Sequence, residues 1–323
     1  MRVLVTGGCG YIGKNIVHQL LKKGHEVTVV DDLSNCRMAA AQTLYNMEHA
    51  PRLILKRYQD YDLAECAPHA VVHLADHKNV LESEQDPGKY MQQNVYDFQG
   101  LVRKAGQIGV ETFVYSSSAS VYGAAPSPVH EEMPLVPLSV YGTTKMLGES
   151  FLKSFSHFSP MKIRAARYFN VVGAGCSGLL GDSGRDRSST LFGRCIAAHY
   201  DKKKVLQIRG RKHETTDGTA VRDFIHVEDL AAAHCLMADD HVASPYEVVN
   251  IGTGHGHTVL EVVRMFERLG MSVPHEFVDA DPTEVSVSYA WTDKIKELYK
   301  WQPRWGLQDM VQSAISWSQG RLL

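Results

Sequence analysis

Nowhere in this chain does an apolar run approach the roughly 20 residues needed to cross a bilayer as a helix. The opening residues, Arg2-Val-Leu-Val-Thr6, enter a strand pattern at once, without the charged and apolar regions of a secretion signal. Together these absences predict a cytoplasmic protein with no membrane partner. Cysteine is sparse: 6 residues, at 9, 36, 66, 176, 195 and 235, with no Cys-x-x-Cys spacing. That excludes a disulfide framework or a cysteine zinc site as the basis of the fold. The 16 histidines also lack ligand spacing, and His255 and His257 fall in a glycine-rich turn, so no metal is expected. Neither sign of charge dominates, with 34 basic against 36 acidic side chains. No basic stripe interleaved with aromatics offers itself to nucleic acid. Internal repeats and low-complexity segments are missing too. A chain of 323 residues without these features has room for one large or two modest globular domains.

What is present begins directly after the first strand, at Gly7-Gly8-Cys9-Gly10-Tyr11-Ile12-Gly13. A helical pattern runs from Ile12 to about Lys23, with Ile16, Val17, Leu20 and Leu21 on one side. Gly24-His25 ends it, and Glu26 to Asp31 reads as a second strand. Glycine at 7, 10 and 13 permits a tight turn, close approach of backbone to a pyrophosphate, and close helix–strand packing. The helix N-terminus adds unpaired N–H groups and positive partial charge. Asp31 closes the second strand where a carboxylate can accept from adenosine ribose hydroxyls and repel a 2′-phosphate. The unit predicts a dinucleotide site that favours NAD over NADP.

A second cluster lies mid-chain: Ser116-Ser117-Ser118, then Tyr141-Gly-Thr-Thr-Lys145. Tyrosine and lysine four residues apart share one helix face. An ammonium favours the phenolate, and lowering a tyrosine pKa from about 10 to about 7 requires roughly 4 kcal/mol. A serine hydroxyl delivered from a strand end can share the proton of a carbinol with that tyrosine. Taken alone, Tyr-x-x-x-Lys is as readily ordinary helix surface.

Strand and helix patterns alternate along the chain. Leu53–Arg57, Ala70–Ala75, Thr112–Ser116 and Ile163–Tyr168 read as buried parallel strands, with helical stretches near 37–48, 89–107 and 140–158 between them. The pattern predicts an α/β fold, a doubly wound parallel sheet of Rossmann type, with ligand at the carboxyl ends of the strands. The marked residues Gly7, Asp31, Ala75, Ser116 to Ser118 and Phe169-Asn170 all fall at such ends. After residue 170 the composition turns to Gly, Ser and Arg, and shorter elements follow: helices near 190–200, 228–238, 258–268 and 307–319, and strands at 205–209 and 246–251. We expect an NAD-binding domain over 1–170, with some later segments returning to it, and a smaller substrate-binding α/β domain over 171–323.

With its Gly-x-x-Gly-x-x-Gly spacing, Ser118, Tyr141 and Lys145, the whole chain resembles the extended short-chain dehydrogenase/reductase family. Within that family it is most similar to the UDP-glucose (UDP-galactose) 4-epimerase branch. The segments that carry the resemblance are GGCGYIG (7–13), DDLSN (31–35), SSSASVYG (116–123), YGTTK (141–145), RYFNVVGA (167–174) and TTDGTAVRDFIHVEDLA (215–231). The last is the most discriminating, because most relatives have a shorter loop before Arg-Asp-Phe/Tyr.

The resemblance implies Ser118, Tyr141 and Lys145 as the catalytic residues. Around NAD it implies Gly7, Gly10, Tyr11, Ile12 and Gly13 at the phosphates and Asp31, Asp32, Leu33, Ser34 and Asn35 at the adenosine. Asp60 and Tyr61 would meet the adenine. Leu74, Ala75, Lys78, Asn94, Ser116 and Phe169 would complete that site together with Tyr141 and Lys145. Around the sugar nucleotide it implies Lys78, Ser118, Tyr141, Asn170, Thr190, Leu191, Gln207, Arg209 and Arg222, with Tyr122 packed beneath the sugar. Arg222 suits a diphosphate through charge-assisted bonds, its alternative being a structural salt bridge with Asp223. The helices near 89–107 and 140–158 would pair across a two-fold axis as a homodimer, with Val95, Phe98, Leu101 and Val102 among the apolar positions beyond one core-facing stripe; the alternative is that these residues pack on the sheet.

Four departures stand out. The family's Gly-Leu between alanine and lysine is Asp76-His77. Its asparagine-leucine against the nucleotide is Thr190-Leu191. Its small residue and aromatic near the base are Gln207 and Arg209. The late Arg-x-Gly-Asp that clamps the diphosphate has no clear counterpart in Asp281-Pro-Thr283-Glu284-Val-Ser286. The reaction the resemblance implies is NAD-dependent 4-epimerisation of a nucleotide-linked hexose, a UDP-hexose by default. A 4,6-dehydratase would carry Asp-Glu after the catalytic hydroxyl residue, whereas Ala119-Ser120 follows Ser118 here. A reductase that releases NAD(P) fits Asp31 less well. A non-catalytic NAD sensor or scaffold tends to lose the tyrosine or the lysine, and both are kept.

Overall fold

The computed structural model describes residues 1–184, 190–201, 203–279 and 285–320. Short runs of apolar residues, buried on both faces except in the edge strand β3, make most of its main sheet: β1 (Arg2–Thr6), β2 (Glu26–Asp31), β3 (Arg52–Leu55), β4 (Ala70–His73), β5 (Thr112–Ser118) and β6 (Lys162–Tyr168). Strands read this way because helices cover both sides of a parallel sheet. Further strands are β7 (Asn170–Val172), β8 (Leu206–Arg209), β9 (Val221–His226), β10 (Tyr246–Ile251), β11 (Gly256–Thr258), β12 (His275–Val278) and β13 (Val287–Ser288).

The main sheet runs β10-β6-β5-β4-β1-β2-β3, with every pairing parallel. The chain winds outward from β1 to β3 and then crosses to β4, so the winding direction reverses between β1 and β4. A crevice opens at that point, beyond the carboxyl ends of the strands. One face is covered by the helices Tyr11–Lys22 and Val227–Ala238, whose Ile16, Leu20, Leu230 and Met237 join Val5 and Val29 in one core. The other is covered by Phe98–Gln107 and Val140–Phe155, through Phe98, Leu101, Val102 and Leu152.

Two expectations change here. The stretch near 89–107 is not one α-helix: Pro87–Met91 is α-helical, Gln92–Asp97 winds as a π-helix, and Phe98–Gln107 is α-helical again. Val95, Phe98, Leu101 and Val102, expected at a dimer face, are buried within this chain, the last three in the core against its own sheet. They are core residues and mark no interface.

Beyond residue 170 a smaller layer forms. β9 pairs in parallel with β7 and β13 and antiparallel with β11, and β8 pairs in parallel with β12. Phe192, Phe224, Phe266 and Met310 knit these strands to the helices Leu191–Tyr200, Val259–Arg268 and Leu307–Gly320. The helices Val227–Ala238 and Asp293–Tyr299, with β10 between them, return to the main sheet. Among the described residues no helix is long and apolar enough to cross a membrane.

Candidate active site

The turn after β1 is built by glycines with different tasks. Gly7 has φ +74°, and a Cβ there would lie 2.9 Å from the Ala75 nitrogen. A Cβ on Gly13 would lie 2.3 Å from the Gly7 carbonyl oxygen. At Gly10 the only described protein atom within contact is that same oxygen, at 3.2 Å, so its bareness serves the crevice rather than the fold. Gly10 is also the N-cap of the helix Tyr11–Lys22, and no side chain caps it. An anion can take that place.

Across the turn, Asp31 accepts from the Cys9 N–H at 2.9 Å and the Leu33 N–H at 2.8 Å. Burial pushes its carboxyl pKa up, and those two backbone bonds pull it back. Gly7, Gly10, Tyr11, Ile12, Gly13, Asp31, Asp32, Ser34 and Asn35 form one wall of a cavity. Leu74, Ala75, Lys78, Ser116, Tyr141 and Lys145 form the opposite wall. A bare, uncapped helix start facing an acid at the next strand end fits NAD. Leu33 packs against the core beneath this wall.

The expected adenine pair is displaced by the turn after β3. Asp60 is exposed, and Tyr61 is buried in the core with its hydroxyl unpartnered. The cavity wall there is Lys56, Arg57, Tyr58 and Gln59. A one-turn 3-10 helix at Tyr58–Asp60 rotates the chain, so the residues nearer the strand face the crevice. Asn94 is likewise behind the wall. From the π-helical turn it accepts from the His77 N–H and donates to the His77 carbonyl, both at 2.9 Å, while Gln93 donates to the Ala75 carbonyl at 2.9 Å. The wide turn thus pins the loop that carries Ala75 to Lys78.

At the end of β5, the Ser118 hydroxyl accepts from the Ser120 N–H and donates to the Ser120 hydroxyl, both at 3.1 Å. Ser116 hydrogen-bonds the Tyr168 hydroxyl. Ser117 points the other way and donates to Glu149, which is paired with Arg167. Arg167 in turn donates to the Tyr122 hydroxyl at 3.0 Å, and Tyr122 donates to Asn250 at 2.6 Å, so Tyr122 is locked beneath the site.

Tyr141 is 8% exposed. Burial pushes its pKa up to about 12; Ser118 pulls against this and Asp76 adds to it. The Lys145 Nζ sits 5.8 Å from the centre of the Tyr141 ring but donates to Asp76 Oδ2 at 2.5 Å and to the Ser116 carbonyl at 2.6 Å. Its charge is already compensated. Tyr168, within RYFNVVGA, also reaches this cavity, as do Arg57, Gln59 and Asp182, which no local sequence signal marks.

On the other side of the crevice, Phe169 packs with Val121, Tyr122, Val129 and Ala290, and Asn170 opens β7 as an exposed residue. The salt bridge considered for Arg222 gives way to strand alternation. Asp223 is fully buried and accepts from the Thr253 N–H and hydroxyl, the Gly254 N–H and the Ala290 N–H. Arg222, its neighbour on β9, points to the opposite face. Thr190 caps the helix Leu191–Tyr200, accepting from the Gly193 N–H at 3.2 Å, and Leu191 packs on the core of the smaller layer. Gln207 and Arg209 share the exposed face of β8, where Gln207 donates to Glu276 at 3.4 Å.

A second cavity joins the first at Tyr11, Asp182 and Gly184, and of the proposed substrate residues it includes only Thr190. Asp281 to Glu284, the stretch facing the family's late diphosphate clamp in sequence, lies outside the described residues. Among the described residues no group of three or more His, Cys, Asp and Glu is arranged to hold a metal.

A family model described as the NAD dependent epimerase/dehydratase family matches residues 3–252. The chain is 34% identical to the UDP-glucose 4-epimerase of Bacillus subtilis (strain 168), with 100% of this chain and 98% of that one covered. It is 36% identical to UDP-glucose 4-epimerase 3 of Oryza sativa subsp. japonica, with 98% and 89% covered. The solved UDP-glucose 4-epimerase from Bifidobacterium longum, in complex with NAD+ and UDP, superposes with a TM-score of 0.92 at 32% identity, covering 100% and 99%.

Proposed function

Because the chain belongs to the NAD dependent epimerase/dehydratase family, we infer that it is an NAD-dependent 4-epimerase of a UDP-linked hexose. The observation that carries this is one continuous cavity with Gly10 and Asp31 on one wall and Tyr141, Lys145 and Ser116 on the other, and with Ser118 beside Tyr141. Tyr141 takes the proton from the sugar O4 and returns it, with the Ser118 hydroxyl beside it sharing the proton. NAD held between the glycine turn and Tyr141 would supply a reversible hydride acceptor for the sugar C4. Lys145 holds the nicotinamide ribose. The glycine turn holds the pyrophosphate, and Asp31 and its loop hold the adenosine. Asn170 and Arg222 grip the diphosphate while the 4-keto sugar turns; Thr190, Leu191, Gln207 and Arg209 contact the nucleotide.

On this reading residues 1–170 with the returning segments carry the cofactor, and the smaller layer carries the sugar nucleotide. Cytoplasmic placement accords with six free thiols. A homodimer would use the outer faces of the two helical segments, where Tyr96 is exposed and Leu147 half-buried. The test is incubation with UDP-glucose and, separately, UDP-galactose, with NMR of the products. Both should yield the same mixture of the two sugars with no net change in cofactor. A 4-keto-6-deoxy product, or no conversion, overturns the reading.

A further inference from the structure

Beyond β7, the segment 173–184 runs between two helices of different layers. One is Tyr11–Lys22, which starts at the glycine turn; the other is Leu307–Gly320, which packs on the smaller core. The first helix holds the segment with a single face. The Tyr11 hydroxyl donates to the Gly173 carbonyl at 2.6 Å, Asn15 donates to the Leu180 carbonyl at 2.9 Å, and the Lys14 Nζ donates to the Ser183 hydroxyl at 3.1 Å. Residues 11, 14 and 15 share that face through the helical period. The second helix holds the segment with Trp317, whose Nε1 donates to the Asp182 carbonyl at 3.3 Å. A Cβ on Gly181 would run into the Trp317 ring, which supplies all three of its nearest atoms. Lys14, only 1% exposed, places its ammonium 5.1 Å from the centre of the same ring, and desolvation strengthens such a contact. Trp317 is therefore where the cofactor helix, the segment and the last helix meet.

The end of the segment reaches the cofactor cavity. Asp182 and Gly184 line it together with Gly10 and Tyr11, and the second cavity joins it at Asp182, Gly184 and Tyr11. Residues 182–184 thus part the two cavities at the phosphate end of the NAD site. We propose that Trp317 is a positioning residue of the NAD site, clamping residues 181–184 beside the glycine turn so that the cofactor stays in place from one turnover to the next. The proposal rests on the NAD site of the reading above and not on the sugar. Its action is coverage rather than charge. The Asp182 carboxylate accepts from the Gly184 N–H at 2.8 Å and would repel a pyrophosphate, so the segment has no electrostatic hold on the cofactor. Trp317 itself lines the second cavity and acts through the segment. Lifting the segment would open the phosphate end into that second cavity and give a bound dinucleotide a way out. Retention suits a reaction in which the cofactor ends as it began, because each loss of NAD interrupts turnover.

The test follows release of radiolabelled NAD from the loaded protein into an excess of unlabelled NAD. Trp317→Ala and Gly181→Ala disturb one contact from its two sides, and each should speed release by at least about tenfold. The double variant should release no faster than Trp317→Ala alone, since the added methyl then has no ring to meet. Val311 lies on the same helix but in the smaller core. Val311→Ala therefore loosens the helix without touching this contact, and should leave release within about twofold of wild type. Unchanged release in Trp317→Ala or Gly181→Ala, or equal acceleration in Val311→Ala, overturns the proposal. If Trp317→Ala fails to fold, Gly181→Ala against Val311→Ala decides. A wild type that takes up no label overturns the proposal together with the NAD assignment. No sugar enters the measurement, so failure of the epimerase reading shows separately, as absent turnover by a protein that holds NAD.

Discussion

Gly10 and Gly13 lie within one turn of each other, yet they lack side chains for different reasons, and the difference can be measured. A Cβ at Gly13 would drive into the Gly7 carbonyl at 2.3 Å, backbone against backbone, so Gly13→Ala should lower the melting temperature by several degrees. At Gly10 the contact is a single atom at 3.2 Å, which a few tenths of an ångström relieve. Gly10→Ala should melt within a few degrees of wild type and bind NAD at least about tenfold more weakly by calorimetry. Equal losses of stability in both would refute the separation. Tyr141 is the residue on which the chemistry turns. Tyr141→Phe should keep the fold and NAD affinity while losing about two to four powers of ten in turnover. Retention of more than about a tenth of wild-type activity would remove Tyr141 from its role.

Among the elements, the helix Val227–Ala238 depends on an unusual cap. His226 Nδ1 accepts from the Glu228 N–H at 3.1 Å, leaving Nε2–H to donate to the Ser313 hydroxyl at 3.0 Å. Only the neutral ring can cap in this way, because protonation consumes the accepting lone pair. Burial lowers the His226 pKa from the ordinary 6.5 to about 4. A base with a depressed folded pKa contributes stability that is present above 6.5 and lost as pH falls through about 4. Asn can cap a helix without titrating near neutrality. Between pH 7 and pH 4, wild type should therefore lose up to about 3 kcal/mol relative to His226→Asn, read from urea denaturation at each pH. Parallel pH dependence in the two proteins would exclude the cap from acid lability.

For the whole molecule, two questions follow from how the layers meet. The first is assembly: with Val95, Phe98, Leu101 and Val102 committed to the core, a dimer must form on the outer faces of the two helical segments. Light scattering at micromolar concentration should give about twice 35.9 kDa, and a mass near 35.9 kDa would reject the dimer. The second is how the smaller layer holds the nucleotide. Arg209 lies on the exposed face of β8. If it contacts the base or a phosphate, Arg209→Ala should raise the sugar-nucleotide KM by about tenfold with little change in kcat, the signature of binding lost equally from ground and transition states. An unchanged KM would place Arg209 outside the site.

The parallel sheet, the glycine turn, Asp31 and the Ser118/Tyr141/Lys145 cluster are all legible in the chain itself, because each is a short-range pattern. Buried strands are continuous apolar runs, glycines mark places that tolerate no Cβ, and a four-residue spacing sets one helix face. Legibility fails where local pattern and tertiary environment disagree. β9 carries little strand signal because Arg222 and Asp223 interrupt its apolar character; only the hydroxyl and backbone donors of Thr253, Gly254 and Ala290 make a buried carboxylate tolerable there. The cavity wall after β3 is Lys56 to Gln59 rather than Asp60-Tyr61, because a single 3-10 turn leaves no periodic trace. Spacing assigns Lys145 to Tyr141, and the folded chain gives it to Asp76, 69 positions away. Sequence spacing determines which residues share an element, since the backbone period is intrinsic. Which charges meet across elements is decided only by packing, because a buried ion takes whatever partner the assembled layers bring within reach.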